Sequence, residues 1–209
     1  LIRPATLADS QAILAVANQH ELSVDPDFEA YPLSEIEEQI QGFVEPGHPF
    51  VYEADGIKAA VLIQSYSPRQ RVEVDLFTIG TKEQTSEIFS FALSYMAEKF
   101  PGFKIRTACN QIDTELLEIF EESGLKFYRD YFKLKKPSIT KGFPALPAGV
   151  EIKAVAVEEH GELLHRLETS SFSGHFGYFP ISSEDWIRER LAENSADPFG
   201  SFVAFVDAV

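Results

Sequence analysis

Cysteine, methionine and tryptophan each occur once in the 209 residues, and basic residues are few. The lone Cys109 excludes an internal disulfide framework and a cysteine-rich zinc site. Eighteen Lys and Arg stand against 33 Asp and Glu, a net charge of −15 and a pI near 4.7. Nucleic acid is therefore a poor partner, because neutralising phosphates takes clustered cations. The basic clusters are local: Lys133, Lys135 and Lys136, then Arg188 and Arg190. A neutral or cationic small molecule suits this field, and solubility accounts for the acidity equally well. No apolar run approaches the ~20 residues of a membrane span, and no charged-then-apolar leader is seen. The expectation is a cytoplasmic protein without a membrane partner.

What is present describes a globular chain: 44% hydrophobic residues, 18 of them Phe, enough for one large or two smaller domains. Its centre is the stretch Val72–Phe100. In VEVDLFTIG, Val72, Val74 and Leu76 alternate with Glu73 and Asp75, the period of a half-buried strand. A polar loop, TKEQTS, follows, and then a helix, EIFSFALSYMAEKF, with Ile88, Phe89, Ala92, Leu93 and Met96 on one face. A strand that turns directly into a helix leaves backbone N–H groups at the helix start, a natural seat for phosphate.

Before this unit the pattern predicts a strand at 1–6 and a helix over Ser10–His20 with Asp9 as N-cap. A second helix starts near Leu33 with Ser34 as a possible cap, and a hairpin turns at Asp55-Gly56. After it come a strand in FKIRTACN, a helix over Thr114–Glu122 stopped by Gly124, and a long strand in LKFYRDYFKLKK. The order is a mixed α/β arrangement. Residues 137–149, rich in Pro and Gly, read as a linker between a first domain at 1–136 and a second at 150–209.

The opening pattern then returns. Ile2-Arg3-Pro4-Ala5 is echoed by Ile152-Lys153-Ala154-Val155, and the helix Ser10–His20 by His160–Thr169. Pro32-Leu33-Ser34-Glu35 is echoed by Pro180 to Glu184, and Phe50-Val51 with Asp55 by Phe202-Val203 with Asp207. Agreement in both element order and residues points to an internal repeat. The second copy stops at the end of its first hairpin strand, so the expectation is the front of a longer tandem protein whose two domains pack together.

The IRPAT-LAD opening, the two early helices, the DG hairpin and ACNQIDTELLEIFEESGLKFY resemble the GNAT (Gcn5-related N-acetyltransferase) superfamily, and the tandem layout is similar to that of mycothiol synthase-like enzymes. The resemblance implies a GNAT-like fold, one complete copy plus the N-terminal part of another. It implies acetyl-CoA as co-substrate and transfer of an acetyl group to the amine of a small molecule. It places the acyl donor along Phe77, Thr78 and Ile79 of the central strand, with Thr81, Lys82 and Asn110. The stretch SFSGHFGYFPISSEDWIRERL looks like substrate-side helices, which makes His175 and Tyr178 substrate-binding candidates beside Trp186; an interface explains them as well.

Two departures qualify this. The family's R/Q-x-x-G-x-G/A phosphate loop is replaced here by Gly80 to Ser86, which has one glycine and a carboxylate at Glu83. The family's proton-donating Tyr falls on Phe120. Active chemistry is accordingly expected in the second copy, and the alternative is that the first copy is a non-catalytic domain with a structural or ligand-sensing role. Tyr128 and Tyr131 downstream are explained by packing, and Cys109, with no His beside it in sequence, reads as core. His160, Glu162 and His165 lack the spacing of a metal site. A homodimer is compatible with all of this.

Overall fold

The computed structural model describes residues 1–43, 45–132, 145–175, 178–192 and 202–206. It divides into two compact units, Leu1–Lys126 and Phe127–Val209.

The first unit is a five-stranded sheet between two helical layers. In chain order its elements are β1 (Ile2–Pro4), α1 (Ser10–Val24), α2 (Leu33–Gln41), β2 (Phe50–Ala54), β3 (Gly56–Tyr66), β4 (Arg71–Thr78), α3 (Lys82–Lys99), β5 (Lys104–Thr107) and α4 (Thr114–Glu122). Strands β1 to β4 pair antiparallel in sequence order, and β5 pairs parallel to β4 after the α3 crossover. The DG hairpin forms as expected: Gly56, at φ 83°, turns β2 directly into β3.

Burial on both faces explains why the hairpin's second strand reads as a nearly continuous apolar run. From Ala59 to Tyr66 every residue of β3 is buried. On one face Val61, Ile63, Val72, Val74 and Leu76 pack against Ile88, Phe89 and Met96 of α3 and Leu116, Ile119 and Phe120 of α4. On the other, Ala60, Leu62 and Phe77 meet Ile13, Val16 and Ala17 of α1 and Ile36 and Ile40 of α2. The alternation expected at 72–76 holds, with Val72, Val74 and Leu76 buried, Glu73 half-buried and Asp75 exposed; farther along, Phe77 is buried on the face that Glu73 and Asp75 share.

Several local expectations are corrected. Asp9 stands at the N-cap position of α1 as expected, but its side chain makes no cap bond there; its carboxylate takes the Arg3 guanidinium at 2.8 Å and the Thr6 N–H at 2.9 Å, closing a short 3-10 turn ahead of α1. The N-cap of α2 is Pro32, leaving Ser34 inside the helix. The strand expected through Asn110 stops at Thr107, and 108–110 line a cleft instead. Residues 125–132 of the expected final strand join no ladder among the described residues, and Phe127, Tyr131 and Phe132 are exposed; 133–136 lie outside the described residues. The 3-residue stretch 145–147 and the turn to Val150 are what is described of the expected linker.

The second unit contains β6 (Val150–Ala154), α5 (Val157–Phe172), α6 (Ser183–Ala192) and β7 (Phe202–Val206). β6 and β7 pair antiparallel, with Ala154 opposite Phe202, as Pro4 lies opposite Phe50 in the first unit. The residues matched by the repeat therefore occupy matching registers. Gly161 sits tight against Ile187, where a Cβ would come within 2.6 Å, so the two helices meet at that point.

Phe89 is fully buried and its ring lies 4.9 Å from that of Phe120, tying α3 to α4. Phe89→Ala is expected to cost about 3–5 kcal/mol, read as a fall in the urea midpoint at unchanged m-value.

Candidate functional site

The parallel pairing of β4 with β5 runs only from Arg71–Lys104 to Val74–Thr107. On its other side β4 stays paired with β3 as far as Thr78, and the Ile79 N–H still donates to the Lys58 carbonyl at 2.8 Å. Antiparallel alternation then turns the N–H and C=O of Leu76 and Thr78 away from β3, toward the side that β5 has left. A cleft of about 390 Å³ opens there. Its walls come from α1 (His20, Glu21, Val24), from Tyr31 with Glu35 and Gln39 of α2, from Asp75 to Phe77, and from Ala108 to Asn110.

His20, 7% exposed, spans the divergence. Its Nδ1 donates to the Thr78 carbonyl at 3.1 Å, and its Nε2 lies 3.5 Å from Asp113 Oδ2. Asp113 itself caps α4, accepting the Leu116 N–H at 3.0 Å. Asn110 adds a tie from Nδ2 to the Val24 carbonyl at 3.4 Å.

The cleft is acidic. Water reaches Asp75 at the mouth, but protein crowds the carboxyl on its other sides. That crowding, reinforced by the negative charges of Glu73, Glu21 and Glu35, pushes its pKa up to about 6. Burial also raises Glu35, with Glu38 adding to it. Tyr31 donates to Glu21 at 3.4 Å, and burial together with Glu21, Glu35 and Asp75 holds its phenol protonated well above the usual range. Cys109 is pushed up to about 11, by burial first and Asp113 second, so its thiol is not an activated nucleophile.

The strand–helix junction is not an extended loop. α3 begins at Lys82, so residues 82–86 of the expected loop are its first turns. Nothing in KEQTS breaks a helix, and Thr81 with Gln84 supplies a capping box that sets the start there. The Gln84 N–H donates to Thr81 Oγ1 at 3.4 Å, the Thr81 N–H to Gln84 Oε1 at 3.1 Å, and the Thr85 N–H to the Thr81 carbonyl at 2.9 Å. The Glu83 carboxylate is held below its ordinary pKa by the Thr81 hydroxyl first and then by its own backbone N–H. The helix start thus carries its own anion, where a phosphate would otherwise sit. Lys82 is turned onto α4, with Nζ 2.9 Å from Glu118 and 3.2 Å from Glu122.

Of the residues expected to hold an acyl donor, Phe77 and Asn110 line the cleft, and Thr78, outside the lining, meets it through the bond of its carbonyl to His20. The Thr78 hydroxyl is spent on Thr85 Oγ1 at 2.7 Å. Ile79, Thr81 and Lys82 belong to the junction, outside the cleft lining. In the second unit His175 is exposed, edge-on to Phe172, and the Tyr178 hydroxyl donates to Thr169 at 3.0 Å. No group of three metal-ligating side chains is found among the described residues, and no described helix is long and apolar enough to cross a membrane. The sequence reading missed His20, Glu21, Tyr31, Glu35 and Asp75. The available signal was Asp75, a carboxylate in the central strand of a mixed sheet whose two faces both need helices.

No family profile matches the sequence, and no curated protein matches it. Among solved structures the chain is similar to a GCN5-related N-acetyltransferase from Sphaerobacter thermophilus, with TM-score 0.70 and 14% identity over 99% of this chain and 67% of that one. It is also similar to a tetramutant of the BH1408 protein from Bacillus halodurans, with TM-score 0.49 and 20% identity over 65% of this chain and 99% of that one. A putative acetyltransferase from Agrobacterium tumefaciens has TM-score 0.48 and 12% identity over 65% and 99%. The first of these shows the fold: this chain has the mixed α/β GNAT fold.

A carboxyl whose pKa is higher in the folded chain than in the unfolded one opposes folding once ionised. The cost of Asp75 is absent in acid and appears as pH rises through about 6. Asp75→Asn should therefore stabilise the chain at neutral pH by on the order of 1 kcal/mol, allowing for screening at the cleft mouth. The gain should vanish below about pH 4, which thermal melts across pH will show.

Proposed function

We propose that the protein is an acyltransferase that moves an acetyl group from acetyl-CoA to the amine of a small molecule. The observation that supports this is the unpaired edge of β4 beside Asp75 in the cleft. Glu21 and Glu35 draw an ammonium group into the cleft, and Asp75, with a pKa near 6, accepts a proton to free the amine. The Leu76 N–H, free of a strand partner, faces the space where a thioester carbonyl oxygen would gain charge. The C–N bond forms and the C–S bond breaks, and the thiolate leaves for solvent to reprotonate, since Phe120 has no proton to give. At the start of α3 the Thr81–Gln84 capping box and the Glu83 carboxylate compete with a pyrophosphate for the first N–H groups.

That same closed helix start favours a second reading. Here the first unit keeps the amine cleft but has lost the donor, and transfer belongs to the second unit, which repeats the first unit's opening registers.

Incubating the chain with acetyl-CoA and a panel of small amines, with products read by mass spectrometry, separates the two. The first reading expects acetylated amine, and Asp75→Asn to lower kcat/KM at pH 7.5 by about 100-fold, within the range of general-base catalysis. Stabilisation by an amine without any transfer would support the second. Neither product nor stabilisation would contradict both.

A further inference from the structure

We infer that His20 is a positioning residue that holds the edge of β4 unpaired and so keeps the cleft open. Only its use in acyl transfer rests on the reading above. Ladder alternation turns two carbonyls, those of Leu76 and Thr78, toward the departing β5. The Thr78 carbonyl is one of the acceptors a longer parallel ladder would employ, and the His20 Nδ1–H has taken it at 3.1 Å. The other ring nitrogen faces Asp113, which follows β5 and caps α4, at 3.5 Å. One imidazole therefore touches both arms of the divergence and sits between them. It is fixed there by burial and by its edge-on contact with Phe77, ring centroids 6.3 Å apart at 69°.

The Nδ1–H bond to the Thr78 carbonyl is the one that competes with the ladder; the longer approach of Nε2 to Asp113 orients the ring. The tie from Asn110 to the Val24 carbonyl acts in the same sense, joining the β5 arm to the last turn of α1. The consequence falls on Leu76: with the ladder stopped at Val74–Thr107, its N–H faces the cleft without a strand partner. Its carbon side chain is meanwhile held in the α3 layer, so the peptide cannot turn away.

Native-state amide exchange of wild type, His20→Ala and His20→Asn tests this, with acetyl-pantetheine as the binding probe because it carries the thioester without the pyrophosphate. Asn keeps a donor near the Nδ1 position and loses the Asp113 contact. His20→Ala should let the strands zip together, slowing exchange at Leu76 by about tenfold relative to Val72 in the paired part of β4, and weakening acetyl-pantetheine by about tenfold. His20→Asn should stay within about threefold of wild type in both. Should His20→Ala not fold, His20→Gln, whose amide reaches the Nε2 position and abandons Thr78, takes its place. Unchanged exchange at Leu76, or a change that merely parallels Val72, overturns the inference, as does an Asn variant that behaves like Ala. If wild type fails to bind acetyl-pantetheine while the exchange results hold, the acyl-transfer reading falls and the role of His20 stands.

Discussion

The pairing of β4 with β5 ends after Val74 and Thr107, and the first unit is built around that ending. Up to that point the sheet is an ordinary two-sided core, with α3 and α4 on one face and α1 and α2 on the other. Beyond it the backbone of β4 loses one neighbour while keeping the other, so peptide groups that a sheet would consume are left facing a cavity. Buried backbone groups without partners are costly, and they persist here because side chains substitute for the missing strand. His20 takes the carbonyl of Thr78, and Asn110 ties the departing arm to Val24.

Electrostatics sets the cleft apart from the start of α3. At the start of α3 the positive end of the helix is met by Glu83, with Thr81 and Gln84 using the first N–H groups. The chain has thus supplied its own anion. In the cleft the balance is opposite: Glu21, Glu35 and Asp75 crowd together without a Lys or Arg partner among the described residues, and Asp75 responds by holding its proton to higher pH. A site of that kind is relieved by a cation and opposed by a phosphate. The net charge of −15, ambiguous when read from composition, has a local expression at this point.

Most of the first unit was legible in the sequence because its signals were local. The helix Thr114–Glu122, bounded by Asp113 and the positive-φ Gly124, and the Asp55-Gly56 hairpin rest on caps and turns that few conformations satisfy. The repeat was legible for the same reason, since residues matched across it also match in strand register. The misses share a different cause. KEQTS is polar, which suggested a loop, but polarity does not end a helix when Thr81 can cap it. LKFYRDYF alternates like a strand, but alternation does not by itself supply a pairing, and it joins no ladder among the described residues. The cleft was hidden most deeply, because His20 and Glu21, Glu35, and Asp75 come from three separate elements and converge only where two strands part.

Ligand binding in the first unit is therefore expected at the divergence of β4 and β5, and not at the start of α3. Backbone NMR of the chain titrated with acetyl-CoA tests this residue by residue. The expected result is amide shifts at Leu76, Phe77, Cys109 and Asn110, with Lys82 to Thr85 unmoved. Shifts centred on Thr81 to Thr85, with the cleft residues unperturbed, would contradict it.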